Sequence, residues 1–275
     1  MTRERILELV RELFEEAENT VHLPEENVDV PVLEKPLIGF ADAEDPLFDE
    51  YKRPEVIGEE WMAPKEWLES AKTVIAFFFP YSEDIRSRAR KSKELVNEAW
   101  ANGYPAGSRL AGTIIARLAE KLEEEGIKVV NPGKDPRMKV TNTKIMNGPE
   151  EDLHFCPSWS NRHAGFAAGL GTFGMHRHMI TESGACGTMG SSLIIDLKLE
   201  PTERKYTEVY ENCIKCGACA RRCPAGAITM EYQRNLLKCS RHGGYLREKF
   251  GGGGCGKCMV GTPCEHRNPS ARLKK

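Results

Sequence analysis

Eight of the ten cysteines in this 275-residue chain fall between residues 213 and 264, in two groups. Cys213, Cys216, Cys219 and Cys223 form a CxxCxxCxxxC run with Pro224 behind it, and Cys239, Cys255, Cys258 and Cys264 follow at wider spacing. Thiolates are soft ligands suited to iron in a tetrahedral sulfur field, and short gaps let successive sulfurs face one centre without strain. A run of the first kind places three thiolates on one iron–sulfur cube and sends the fourth to a second. Eight ligands therefore predict two [4Fe-4S] clusters, one on Cys213, Cys216, Cys219 and Cys264, the other on Cys223, Cys239, Cys255 and Cys258. Zinc sites pair CxxC units over longer gaps without a CP ending, and a disulfide framework suits a much shorter secreted chain. Cys264 fits its set least well, because Pro263 precedes it where the pattern places a proline after; Cys186 is the reserve ligand.

Thiols in cluster spacing need a reducing compartment, so a cytoplasmic location is expected. Residues 1–19 lack the apolar core of a signal peptide and a twin-arginine pair, and no apolar run approaches the ~20 residues of a membrane span. A net charge of -2 and a pI near 6.4 give no bulk bias toward nucleic acid or membranes.

The elements that must hold these residues are read from periodicity. Residues 2–19 place Ile6, Val10, Leu13, Phe14 and Ala17 at helical spacing, with Thr2 as N-cap. Residues 20–61 carry five prolines and read as loops around short extended pieces such as 28–32. A short helix over 64–71 precedes an apolar, β-rich run at 73–79 that suits a buried central strand. Residues 85–102 read as a helix closing at Gly103, with Arg86, Arg88, Arg90, Lys91 and Lys93 as a solvated face. Ser108 is expected to cap a second helix carrying Leu110, Ile114, Leu118 and Leu122, stopped by Gly126 before a strand at 127–130. Helix and strand then alternate, which predicts an α/β (α+β) lobe, a nitroreductase-like or similar sandwich over 1–200. Its chemistry is expected at the loops leaving the strands, and a ferredoxin-like double-cluster lobe follows over 201–275.

The last part of the first lobe is dense in special residues. Trp159, Ser160, Asn161, Arg162 and His163 lead into Gly165, Gly169, Gly171 and Gly174, then His176 and His178, and a strand at 192–197. Glycine lets a backbone approach a bulky ligand or another backbone. The segment 162–168 reads as a turn of helix. His163 has a side chain suited to proton transfer and Arg162 one suited to gripping an anion, and these are the catalytic candidates. The pair His176 and His178 reads as surface histidines, Cys156 and Cys186 as buried small hydrophobes, and Tyr104 as a phenol at the mouth of a loop. Trp159 and Phe173 can wall a flat cofactor or fill the gap between lobes.

The segment 159–201, with Ala168, Gly169, Leu170 and Gly171 as AGLG, followed by CxxCxxCxxxCP, resembles the cobalamin-dependent epoxyqueuosine reductases and, more distantly, the reductive dehalogenases. Trp67 and Leu68 before the strand at 73–79, the helix at 110–122 and both cysteine groups occur in that family's order. The resemblance implies a corrinoid, cobalamin, in the first lobe, held at Trp159, Gly169, Gly171, Phe173 and Gly174, with two clusters passing single electrons to it. It also implies a low-potential donor such as a ferredoxin or flavodoxin. Two departures limit it. The family's catalytic aspartate stands shortly before AGLG, where this chain has His154, Phe155, Cys156 and Pro157. The family's helical repeat region, which helps hold tRNA, is expected to be lacking, and Arg267, Arg272, Lys274 and Lys275 make too small a basic patch to replace it. A tRNA substrate is therefore disfavoured, and so is an organohalide, whose reductases carry a twin-arginine signal. Two functions stand: a reductase of an unidentified small molecule, or an electron carrier serving a separate enzyme. The ~200 residues before the clusters favour the first, since a two-cluster ferredoxin needs only the cysteine lobe.

Overall fold

The computed structural model describes residues 1–91, 97–250 and 254–272. Its middle layer is built on β4 (Thr73–Pro80), all eight residues of which are buried. One edge of β4 pairs along its length with β3 (Leu37–Asp42); the other pairs in succession with β10 (Gly187–Met189) and β11 (Leu193–Ile195). β11 in turn pairs with β5 (Val129–Val130), and every pairing is antiparallel. The alternation of helix and strand therefore does not make a parallel sheet, and the rule that places chemistry at the ends of parallel strands has no purchase here.

Side chains alternate across a strand, so β4 feeds two cores. Ile75, Phe77 and Phe79 face α1 (Arg3–Glu16), α5 (Glu98–Glu124) and the hairpin of β1 (Thr20–Leu23) with β2 (Val28–Pro31). Val74, Ala76 and Phe78 face an aromatic core with Phe48 of α2 (Leu47–Glu50), Trp61, Trp67 of α3 (Pro64–Trp67) and Trp159. Thr2 caps α1 by accepting from the Arg5 N–H at 3.3 Å, as its position predicts. The prolines in 20–61 sit at element edges and leave β3 intact.

The basic helix is α4 (Glu83–Lys91); Lys93, Lys274 and Lys275 lie outside the described residues. Its expected extension to residue 102 is replaced by a cap at Asn97, whose side chain accepts from the Trp100 N–H, opening the 27-residue α5. Gly103 and Ser108 therefore lie inside a helix, and so do Tyr104 and Pro105. The glycines serve packing: a Cβ on Gly103 would stand 2.7 Å from Ile85, and one on Gly107 2.7 Å from Tyr81. Gly126, at φ 79°, stops the helix as expected.

Arg86, Arg88 and Arg90 of α4 are not a solvated face, although Lys91 is exposed. Arg86 is 5% exposed and pairs with Glu34 at 2.9 Å and Glu83 at 3.0 Å; Arg90 pairs with Glu265 at 2.6 Å. Glu265 is 2% exposed, lies 3.6 Å from Arg86, and accepts the Gly261 N–H at 2.6 Å. Lys257 donates to the Ala89 carbonyl at 3.2 Å. α4 thus grips the cysteine-bearing tail, and Leu246, Met259 and Val260 of that tail join the core that begins at Ile6.

A long ribbon, β6 (Val140–Asn147) with β7 (Glu150–Pro157), stands largely exposed and is closed by Gly148 at φ 62°. Asp152 of β7 is fully buried. Its carboxylate accepts the N–H groups of Leu236 at 2.6 Å and Leu237 at 3.1 Å, at the start of α8 (Leu236–Phe250). A carboxylate at a helix N-terminus satisfies orphan donors and suits the helix dipole. The ribbon thereby places α8, and with it Cys239. Among the described residues no helix is long and apolar enough to cross a membrane.

Candidate iron–sulfur site

The first cysteine run is shaped by backbone. Lys215 at φ 49° and Gly217 at φ 72° turn the chain twice, and Gly217 opens the one-turn helix α7 (Ala218–Arg221) that carries Cys219. The Arg221 guanidinium donates to the Cys216 carbonyl at 3.1 Å and holds the loop. Cys213, Cys216, Cys219 and Cys264 then line one cavity, with Met175, Ile180 and Ile214 among its apolar walls. The expected first set is gathered, including Cys264. Burial, with the neighbouring thiols of the set, pushes Cys219 and Cys264 up to about 11. Cys186 is fully buried elsewhere, beside Glu265 and Arg86, and burial holds its thiol well above the usual range.

The second set, whose four thiols are half-buried, lies on the side of Arg162. Burial raises the Cys255 thiol, with Cys223 and Cys239 adding to the effect. Burial also raises Cys258, where Cys255, Cys239 and Cys223 add and Arg234 opposes. The tail that carries Cys255 and Cys258 seats on α5: Trp100 donates its indole N–H to the Gly254 carbonyl at 2.6 Å, and a Cβ on Gly256 would stand 2.0 Å from the Trp100 ring. The two sets are adjacent, since Cys213, Cys219, Cys223 and Cys258 pack in one apolar group with Met175 and Ile228. Ile228 belongs to the small hairpin of β12 (Ile228–Thr229) with β13 (Gln233–Arg234). Among the described residues no three His, Cys, Asp or Glu side chains converge as one ion requires.

Positive charge faces the inner set. Arg162, on α6 (Asn161–Ala167), makes no hydrogen bond or ion pair among the described residues. Burial and then Arg234 lower it to about 10, while Tyr104, Cys258 and Cys239 raise it. Arg234 reaches His178 Nε2 at 3.2 Å, and its Nε is buried without a partner. An anionic, thiolate-ligated cluster suits these two cations, which have no carboxylate partner among the described residues, whereas thiols alone do not.

The other residues singled out in the glycine-rich stretch separate. His163 is half-buried between the rings of Tyr51 and Phe173, at 4.9 and 5.1 Å, with Nδ1 2.8 Å from the Ser160 hydroxyl. Burial and then Arg162 lower its pKa to about 3, so the ring is neutral at physiological pH. Below about pH 6.5 the unfolded chain binds a proton that the folded chain refuses. Stability is therefore expected to fall with pH below that point by up to about 1.4 kcal/mol per unit. Denaturant midpoints between pH 7 and 5 check this, and His163→Phe should remove its share of the dependence and leave that of the buried His176 and His178.

Trp159 is 3% exposed and stacks on Trp61 at 4.9 Å, inside the aromatic core and not over an open wall. The glycines expected at a cofactor meet the protein's own atoms. A Cβ on Gly169 would stand 2.9 Å from Thr202, one on Gly171 2.2 Å from the Ile180 carbonyl, and one on Gly174 2.5 Å from the His176 ring. On the other side, Gly39 of β3 would meet the Ala168 carbonyl at 2.1 Å. The AGLG segment is thus wedged between β3 and the hairpin of β8 (Gly171–Phe173) with β9 (Met179–Thr181). His176 is 1% exposed and His178 half-buried, so neither is a surface histidine. Burial is the main reason that both titrate below the usual range.

A family model described as a 4Fe-4S binding domain matches residues 206–229. No curated protein matches by sequence. Among solved structures, epoxyqueuosine reductase from Streptococcus thermophilus superposes with a TM-score of 0.54 at 17% identity, covering 98% of this chain and 69% of that one. An epoxyqueuosine reductase solved with an epoxyqueuosine-modified tRNA-Tyr stem loop gives 0.54 at 16% identity, with the same coverage of 98% and 69%. A catabolic reductive dehalogenase gives 0.54 at 13% identity, covering 86% of this chain and 31% of that one. The chain therefore has a 4Fe-4S binding domain set in the mixed α/β fold that epoxyqueuosine reductases and reductive dehalogenases share.

Proposed function

We propose that the chain is an iron–sulfur reductase that passes single electrons inward through two [4Fe-4S] clusters, from a low-potential carrier such as a ferredoxin or flavodoxin to an acceptor held against α6. The carrying observation is the order of the two thiol sets. Cys216 is exposed and marks a point of entry, while Cys258 and Cys239 are half-buried and within electrostatic reach of Arg162 in the first half of the chain. A carrier protein serving a separate enzyme needs both ends of its path near solvent, and the inner set instead leads into the first half of the chain.

The clusters supply one-electron storage at low potential, which no side chain can provide. The chain's own residues do the rest. Cys213, Cys216, Cys219 and Cys264 hold the outer cluster; Cys223, Cys239, Cys255 and Cys258 hold the inner one. Arg162 and Arg234 offset its negative charge and favour its reduced form. Phe173 and His163 present a half-buried ring pair beside α6, an apolar surface for a small-molecule substrate or flat cofactor.

A corrinoid is the acceptor that the family resemblance suggests. The Cβ directions of Gly169, Gly171 and Gly174 are filled by the protein's own atoms and Trp159 is buried, so Phe173, half-buried, is the member of that set best placed to meet it. The deciding measurement is anaerobic electron paramagnetic resonance on the cluster-loaded chain titrated with cob(II)alamin. A saturable change to a protein-bound, base-off signal is expected if a corrinoid is the acceptor. An unchanged signal with intact clusters removes the corrinoid and leaves a different acceptor or the carrier role.

A further inference from the structure

His176 was read as a surface residue, yet it is among the most enclosed polar side chains of the protein, at 1% exposure. Its two ring nitrogens have different surroundings. Nδ1 accepts the backbone N–H of His178 at 3.0 Å. That bond leaves Nδ1 without a proton, so the neutral ring carries its hydrogen on Nε2. Nε2 lies 3.5 Å from Sγ of Cys264, within range for an N–H donor to sulfur. The second neighbour of the sulfur is the Thr262 hydroxyl at 3.4 Å.

The turn that makes this possible is built for it. The Gly174 N–H donates to the His178 carbonyl at 2.9 Å, the Arg177 N–H returns to the Gly174 carbonyl at 2.7 Å, and Arg177 adopts φ 57°. The loop folds back so that the His178 N–H points at the ring it follows by two residues. Gly174 is also the only kind of residue that fits, since a Cβ there would stand 2.5 Å from the ring. The tautomer, the ring plane and the clearance are all fixed by backbone. The inner set is served differently: Cys223 Sγ accepts the Ala227 backbone N–H at 3.2 Å, without a ring donor.

We propose that His176 is a positioning residue that tunes the outer cluster, donating Nε2–H to the Cys264 sulfur and making that cluster easier to reduce. This rests on the reading of Cys264 as a cluster ligand. A donor to a ligating sulfur withdraws charge from it and stabilises the more negative, reduced cluster, and hydrogen bonds to sulfur are among the factors that set cluster potentials. The expected consequence is an outer cluster whose potential a single side chain raises, so that it accepts an electron from a donor at Cys216 more readily than it would without the ring donor.

The test is a redox titration of the anaerobically purified, cluster-loaded chain, followed by electron paramagnetic resonance. His176→Leu is expected to make one cluster about tenfold harder to reduce, which is about 59 mV for a one-electron couple, and to leave the other unmoved. His176→Gln, which keeps an N–H within reach, should recover most of the loss. Both potentials unmoved in His176→Leu at full iron content overturns the proposal. Cys264→Ala separates this from failure of the underlying reading: if it keeps both clusters, Cys264 is not a ligand and the parent assignment falls. Should His176→Leu fail to hold iron, the unsubstituted chain still decides. With 15N-histidine incorporated, pulsed resonance should detect a weak coupling from one imidazole nitrogen to the reduced outer cluster, and its absence overturns the proposal.

Discussion

Replacing Glu265 with alanine is expected to destabilise the protein by about 3–5 kcal/mol and to speed the loss of iron to a chelator. The carboxylate is 2% exposed and faces Arg90 at 2.6 Å and Arg86 at 3.6 Å. Removing it leaves Arg86, itself 5% exposed, with one fewer counter-charge in a place that water cannot reach. Breaking a buried pair costs more than the pair is worth, because the remaining charge stays desolvated. The change also frees the Gly261 N–H, which Glu265 accepts at 2.6 Å three residues before the last ligand. Arg5→Ala, which breaks the exposed pair with Glu12, is the comparison, and surface pairs of that kind are worth about 1 kcal/mol or less. Urea midpoints of the cluster-loaded chain measure both variants, and equal shifts for the two would refute the role given to Glu265.

Cys216→Ala and Cys239→Ala are each expected to lower the iron content from about eight to about four atoms per chain, and the double substitution to lower it to near zero. Each removes a ligand from a different set. Cys216 is exposed and Cys239 half-buried, so neither substitution opens a large hole in the core. Cys186→Ala is expected to leave the iron unchanged, because that thiol faces Glu265 and Arg86 instead of the cavity that holds Cys264. Iron and sulfide assays with the resonance spectra of the reduced protein check all four. A single substitution that empties both sets would mean that they do not fill independently.

The features legible in the sequence are those whose physics is local. Cluster ligation needs fixed short gaps, so the Cys213 run declares itself, and β4 shows as an unbroken apolar run because both its faces are covered. What could not be read depends on partners distant in the chain. Gly103 and Gly107 look like breaks in a helix until Ile85 and Tyr81 are seen packed against them. Arg86 and Arg90 look solvated because Glu34 and Glu265 come from other parts of the sequence. β3 was hidden by prolines that stand outside it. The glycines of 169–174 advertise close approach but not what approaches, and here it is the protein's own backbone. His176 reads as a surface histidine in the sequence, since its burial and its contact with Cys264 depend on a turn that brings the His178 N–H to its own ring.

The tail held by α4 has a bearing on how the protein is made. Met259 and Val260 complete a core whose first members are Ile6 and Leu9, so the hydrophobic interior of the first half cannot close while the ribosome is still producing it. Contacts this far apart in sequence are slow to form, and the unclosed core exposes apolar surface in the meantime. The nascent chain must wait, with its thiols reduced and uncommitted, until the tail has emerged.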